Sequence, residues 1–273
     1  MINPSDKMKV LNQNDPESKV LKDPSSTHPN RLIIDTKNNQ SQRLRVRPAN
    51  IAEARKNRNS KINKTFTNLA FEGGGVKGFA YTGALFFLQE YDILPQIKNV
   101  SGSSVGSLLA LLVSLGLDAY EIFVEMLKAD FNKFADDSFG IVRDMERFYK
   151  KFGIFKGEAL FKAVEDILEK YTGNKNITFK QLFEKTKINL IITGTDIGSM
   201  KTVFFHKDNM SFPDMPISIA IKISTALPYA YQYVEYQGRK FVDGGLFCNL
   251  PLAFWDENLP GGQVRKNEQT LAL

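Results

Sequence analysis

The sequence predicts an α/β domain, built on a mainly parallel sheet covered by helices and preceded by a disordered basic tail. Three observations predict it. From Phe66 onward, short apolar runs alternate with segments of helical spacing, the order that parallel strands and their crossovers produce. Two of the strand-to-helix passages run through glycine-rich turns, residues 73–78 and 102–106. Residues 1–64 contain no Phe, Tyr, Trp or Gly, so every aromatic residue falls in the remainder.

The first 64 residues carry 14 Lys+Arg against 6 Asp+Glu, while the rest carry 22 against 24. The overall formal charge of +6 therefore belongs to the tail. A near-neutral body argues against nucleic acid as its partner, which would require a basic face on the body itself. The tail is rich in Asn, Ser, Lys, Arg and Pro, with brief apolar islands such as Leu32-Ile33-Ile34, and it cannot bury enough surface to offset its backbone entropy. It reads as a solvated linker with an isolated short helix near Ile51 to Lys56. Its basic clusters, Arg43, Arg45 and Arg47 and the run Arg55-Lys56-Asn57-Arg58, suit anionic lipid, RNA or an import receptor.

A single cysteine, Cys248, excludes an intramolecular disulfide framework, and with only His28 and His206 beside it no structural zinc site is expected. The N-terminus lacks the apolar region of a secretory signal, and the longest apolar stretch, Ser107 to Leu117, is too short to span a bilayer. A soluble protein of a reducing compartment is the expectation.

Within the body, Thr67 to Phe71 reads as a buried strand ending in glycines, and Phe79 to Tyr91 as a helix. Ile97 to Val100 is a second strand, and Leu108 to Leu115 an apolar helix closed by Gly116. Asp118 to Phe134 and Glu158 to Tyr171 are amphipathic, the latter followed by Gly173. Ile188 to Thr193 and Thr202 to His206 are strand-like, and Ile217 to Ser224 is helical. Val234 to Tyr236 and Lys240 to Val242 complete the strands. Phe86, Phe87, Phe123, Phe131, Phe134 and Phe139 read mostly as core, a few lining a lipid channel or forming a lid within Asp118 to Gly157. Asp130, Asp136 and Asp137 read as a solvated face rather than a calcium site.

The glycine-rich turns carry the chemistry. Glycines at Gly73-Gly74-Gly75-Val76-Lys77-Gly78 leave backbone N–H groups unobstructed, so a loop there at a helix N-terminus holds an anion. The same residues satisfy the G-x-G-x-x-G dinucleotide fingerprint, which alone is weak evidence, and fail the P-loop pattern. Gly102-Ser103-Ser104-Val105-Gly106 matches G-x-S-x-G, where a sharp strand-to-helix bend thrusts the middle serine outward. Ser104 is therefore the expected nucleophile, and it needs a base. No histidine follows Asp243, as an α/β-hydrolase order would demand, and His206 reads as a strand-end or surface residue. Asp243-Gly244-Gly245 remains: a carboxylate exposed at a strand end by two glycines, whose basicity partial burial would raise, with loop 73–78 stabilising the oxyanion. The plainer alternative is an aspartate that caps a turn.

In this order the three motifs resemble the patatin-like phospholipase family, whose members share a Gly-rich loop ending in a basic residue and Gly, a G-x-S-x-G elbow and a D-G-G or D-G-A aspartate. Ser224-Thr225-Ala226-Leu227-Pro228 is similar to the family's small-residue segment, and Asn249 and Pro251 stand where the aspartate motif continues. Lys77 departs from the more frequent arginine and keeps the charge without the guanidinium fork. The resemblance covers Phe66 to Leu273. It implies a three-layer α/β/α fold for a catalytic domain over 65–273, and a Ser104–Asp243 dyad. It also implies an oxyanion hole from Gly73, Gly74, Gly75, Val76, Lys77 and Gly78, centred on the amides of 74–76. It further implies a lipid acyl hydrolase that uses neither cofactor nor metal. Its substrate is a phospholipid or other lipid ester at a membrane surface, so the protein is expected to be cytoplasmic or peripheral to a membrane. Bacterial patatin-like proteins delivered into host cells have a similar layout, a polar leader ahead of the catalytic domain, and some need an activating protein partner. The end, Thr270 to Leu273, looks like a core strand cut at its last residue, as expected of a fragment or of part of a longer protein with a C-terminal domain. Two rival readings remain: a dinucleotide-dependent oxidoreductase using loop 73–78, and a silent lipid-binding protein.

Overall fold

The computed structural model describes residues 64–128, 153–260 and 263–273. The expected tail, the helix near Ile51, Phe131, Phe134 and Phe139, the three aspartates Asp130, Asp136 and Asp137, and residues 129–152 of the expected lid lie outside the described residues.

Strand β1 (Asn68–Phe71) is buried at all four positions, and successive strand residues face opposite ways, so both of its faces are covered. Helix α1 (Ala80–Glu90) follows a 3-10 turn, Gly75–Phe79, and leads to β2 (Asn99–Gly102). Helix α2 (Val105–Ser114) carries no charge and is buried along its entire length, as a helix apolar all round must be. Its Gly106 lies where a Cβ would come within 2.6 Å of the Phe71 carbonyl oxygen, so only glycine lets α2 seat on the end of β1. Helix α3 (Ala119–Lys128) occupies the start of the expected lid region, and Phe123 on it meets Phe79 and Phe86 edge to face at 5.8 and 6.1 Å. Phe86 is partly buried against the core, whereas Phe87 is exposed.

The chain continues through β3 (Gly153–Phe155), α4 (Glu158–Thr172), α5 (Phe179–Thr186), β4 (Asn189–Asp196), β5 (Lys201–Phe205) and α6 (Ile217–Ser224). Short strands β6 (Tyr229–Tyr231), β7 (Val234–Tyr236) and β8 (Arg239–Asp243) come next, and β9 (Glu257–Asn258), β10 (Val264–Arg265) and β11 (Thr270–Ala272) end the chain. Helix α5 is absent from the sequence reading although it opens on a capping box. Gln181 N–H donates to the Thr178 hydroxyl at 3.3 Å, and Thr178 N–H donates to the Gln181 side chain at 3.0 Å.

The main sheet runs β11-β1-β2-β4-β8-β7, with β5 also paired to β4. Strands β11, β1, β2 and β4 are mutually parallel, and β5, β8 and β7 join antiparallel. Strand β11, expected in the core, is the edge strand beside β1. Asn68 stitches this side: it accepts from Asn99 at 2.8 Å and donates to Thr270 at 3.1 Å.

The pairing along β4 brings two strand ends together. Strand β5 covers one edge of β4 from Ile192 to Asp196. The other edge is shared: β2 pairs with Asn189 to Ile192, and β8 with Gly194 to Asp196. Because β2 ascends and β8 descends, both end at the break between them, Gly102 opposite Ile192 and Asp243 opposite Gly194. Two residues of an extended strand span only about 7 Å.

Candidate active site

At that break each strand turns sharply. Ser104, the N-cap of α2, has φ 50° and ψ −128°, a region a non-glycine residue occupies only when the surroundings enforce it. Ser103, buried beside it, and Gly102 and Gly106 supply the small neighbours the bend requires. Ser104 itself stays partly open to solvent. Its carbonyl accepts the Ser107 hydroxyl at 2.6 Å and the Ser107 N–H at 2.9 Å, and its N–H donates to the Ser224 hydroxyl at 3.0 Å.

Asp243 closes β8 and is 2% exposed. One carboxylate oxygen accepts the Gly245 N–H at 2.7 Å, and its own N–H donates to the Ala226 carbonyl at 2.9 Å. Burial pushes the carboxyl up to about 6, against the pull of the Gly245 N–H and of the nearby Ser104 hydroxyl. The carboxylate expected to stand exposed at the strand end is instead almost wholly enclosed.

The glycine loop lies against the same point. A Cβ on Gly73 would stand 3.0 Å from that of Ser104 and 2.4 Å from the Asn249 amide oxygen. Some of the expected loop amides are already engaged: Gly73 N–H donates to the Asn249 carbonyl at 3.1 Å, and Lys77 N–H to the Gly74 carbonyl at 3.2 Å. Gly78 is buried against Val105. The opening N–H groups of a helical turn have no partner inside it, which leaves the stretch Gly74 to Val76, with Gly75 at φ 56°, as the part of the loop open to an anion.

Asn249 has no role in the sequence reading beyond its place in a motif. Its side chain donates to the Gly73 carbonyl at 3.0 Å and to Glu72 at 2.9 Å, while its amide oxygen faces Gly245. It therefore ties the glycine loop to the turn that carries Asp243. Removing this side chain is expected to lower turnover by about tenfold with a smaller change in KM, because loosened donors serve the transition state less well. Steady-state kinetics of Asn249→Ala, with thermal melting alongside, check this; an unchanged kcat would show the tie to be dispensable.

His206 is engaged elsewhere. It follows β5, on the far edge of β4 from β2 and β8, accepts the Asp208 N–H at 3.3 Å and packs edge-on against Phe254 at 5.2 Å. Burial lowers its pKa, more than Asp208 raises it. The Cys248 thiol is pushed up by burial and so is further from the reactive thiolate. Among the described residues no group of three or more His, Cys, Asp or Glu is placed to hold a metal ion, and no helix is long and apolar enough to cross a membrane.

Comparison with known proteins bears on this arrangement. An uncharacterized protein of Acanthamoeba polyphaga mimivirus is 35% identical over 193 residues, covering 70% of this chain and 62% of that protein. A protein of Invertebrate iridescent virus 6 named "Probable lipid hydrolase 463L" is 30% identical over 194 residues, covering 69% of this chain and 63% of its own. The chain thus spans a little under two thirds of the length of these relatives. Among solved structures, VipD from Legionella pneumophila superposes with a TM-score of 0.54 at 19% identity, over 76% of this chain and 49% of VipD, a likeness of fold. The sequence profile described as "Patatin-like phospholipase" matches residues 69–254, a span that contains the glycine loop, the elbow and the aspartate turn. This chain belongs to the patatin-like phospholipase family.

Proposed function

We propose that this protein is a lipid acyl hydrolase that cleaves fatty-acyl esters with Ser104 as nucleophile and Asp243 as its base. The observation that carries the reading is the shared edge of β4, where a serine held at φ 50° meets a buried carboxylate with no imidazole described between them.

The chemistry follows in two halves. Asp243 takes the hydroxyl proton as the Ser104 oxygen attacks the ester carbonyl. The tetrahedral oxyanion rests on amides of Gly74 to Val76, groups already oriented before reaction. The carbonyl re-forms, the C–O bond to the alcohol breaks, and the proton on Asp243 passes to the departing alkoxide. Water then gives a proton to Asp243 and attacks the acyl-serine, and collapse returns Ser104 and releases the fatty acid.

A lipid is the substrate class the surroundings favour. Val76 on the glycine loop, Leu227 and Tyr229 after α6, and Leu246 and Phe247 beside the aspartate turn are all exposed apolar side chains that flank the three motifs. Lys77 beside Val76 is exposed as well and suits an anionic headgroup. A membrane surface and an activating protein remain the partners proposed on family grounds. A dinucleotide at loop 73–78 would leave both Ser104 and Asp243 without a task.

The test is release of fatty acid from phospholipid vesicles, measured by mass spectrometry across about pH 4 to 8. Only the carboxylate form of Asp243 accepts a proton, so kcat/KM is expected to climb about tenfold per pH unit below about 6 and to level off above it. Absence of fatty acid at every pH, or a rate indifferent to pH across that range, would sink the reading.

A further inference from the structure

We propose that Ser224 is a positioning residue: its hydroxyl holds the Ser104 backbone in the reactive bend, and the helix end that bears it sets the distance from Ser104 to Asp243. The inference rests on the reading of Ser104 as nucleophile and names a device that reading does not require.

As the N-cap of α2, Ser104 has an N–H that no carbonyl inside the helix reaches, and a buried donor without a partner is costly. The acceptor comes from far along the chain. Ser224, the last residue of α6 and fully buried, places its oxygen 3.0 Å from that N–H. A residue strained at φ 50° persists only where its surroundings over-determine it, and this bond is one of the constraints.

The same helix end also grips the base. Two residues on, the Ala226 carbonyl accepts the Asp243 N–H at 2.9 Å. Helix α6 cannot slide relative to the sheet either. At Gly194, the partner of Asp243 on β4, a Cβ would come within 2.7 Å of the Ile223 side chain, so Ile223 of the helix packs directly on the bare backbone of the strand. Nucleophile and base hang from one three-residue segment, Ser224 to Ala226, which is braced on the strand whose edge they share. Rigid short linkage of this kind keeps reacting groups within the few tenths of an ångström that catalysis demands.

Helix α6 also contains its own control. Ser218, 1% exposed, has a hydroxyl with no hydrogen-bond partner. Changing it to alanine removes a buried polar atom that makes no bond, whereas the same change at Ser224 strands the Ser104 N–H.

Ser224→Ala, Ser224→Thr and Ser218→Ala are compared with wild type and Ser104→Ala in vesicle hydrolysis, fluorophosphonate labelling and thermal melting. For Ser224→Ala, kcat and labelling rate are expected to fall about 10- to 100-fold per folded molecule with KM nearly unchanged. Ser224→Thr, which keeps the acceptor, is expected to recover most of this, and Ser218→Ala to match wild type. The proposal is overturned if Ser224→Ala keeps wild-type turnover, if its loss merely tracks the unfolded fraction, or if Ser224→Thr is as impaired as Ser224→Ala. An inert Ser104→Ala beside a fully active Ser224→Ala removes this inference alone. An active Ser104→Ala removes the functional reading and this inference with it.

Discussion

Ser104→Ala is expected to lower the turnover of a fatty-acyl ester by about 10⁴-fold or more and to abolish fluorophosphonate labelling, while the protein still folds. In the proposed mechanism the hydroxyl oxygen forms the bond to the acyl carbon, so its loss removes the covalent route instead of weakening it. The fold survives because what the structure uses from this residue is its backbone. Its N–H meets Ser224 and its carbonyl meets Ser107, and alanine supplies both. The penalty for φ 50° is already present with serine and changes little. Whatever rate remains over water would come from the glycine loop and substrate binding. Full esterase activity in Ser104→Ala, in a protein melting at the wild-type temperature, would show that another group attacks the ester.

Asp243→Asn is expected to do two opposite things: to lower turnover by about 10³- to 10⁴-fold and to make the protein more stable near pH 8. The first follows from replacing a base by an amide. The second follows from burial, which raises the carboxyl from its ordinary 3.8 to about 6. Below the ordinary value the group is protonated whether the chain is folded or not, and burying it is free of charge. As pH rises through about 6 the folded protein must hold an anion that the unfolded chain solvates better, so the favourable contribution is lost. The gap between 3.8 and about 6 corresponds to about 3 kcal/mol above pH 6, an upper limit for the gain. Asparagine keeps an acceptor for the Gly245 N–H and carries no charge to desolvate. Melting curves of both proteins should coincide near pH 4 and separate by several degrees near pH 8, the variant higher. A variant less stable at pH 8 would mean that the carboxylate is held by favourable contacts and is not poised as a base.

Where local chemistry alone shapes a segment, it was legible. Helix α6 lies where Ile217 to Ser224 predicts it, and Gly116 follows the buried helix α2 at φ 76°. Boundaries set by neighbours were less so. The second strand is Asn99–Gly102 and not Ile97 to Val100, because Ile97 leaves a 3-10 turn while the polar Ser101 is buried in the sheet. Strand β4 runs on to Asp196 through Thr193 and Thr195, polar residues that only central burial makes strand-like. Among the described residues, strands β3 and β6 pair only with each other, and they have no apolar alternation to betray them. Asn249 and Ser224 stood inside recognised segments, yet their partners lie more than a hundred residues away along the chain.

From the sequence alone came the candidate residues for the proposed chemistry: a serine in a turn too tight for larger neighbours, a glycine run, and an aspartate followed by two glycines. Those are properties of a few adjacent side chains, and adjacency is what a sequence records. Only the tertiary structure decided that the strand ends bearing the serine and the aspartate lie side by side, because β2 and β8 divide one edge of β4 and one helix end bonds to both residues. Such pairing is settled by which backbone hydrogen-bonding edge is left open once the other strands are in place, a choice no local pattern of side chains encodes.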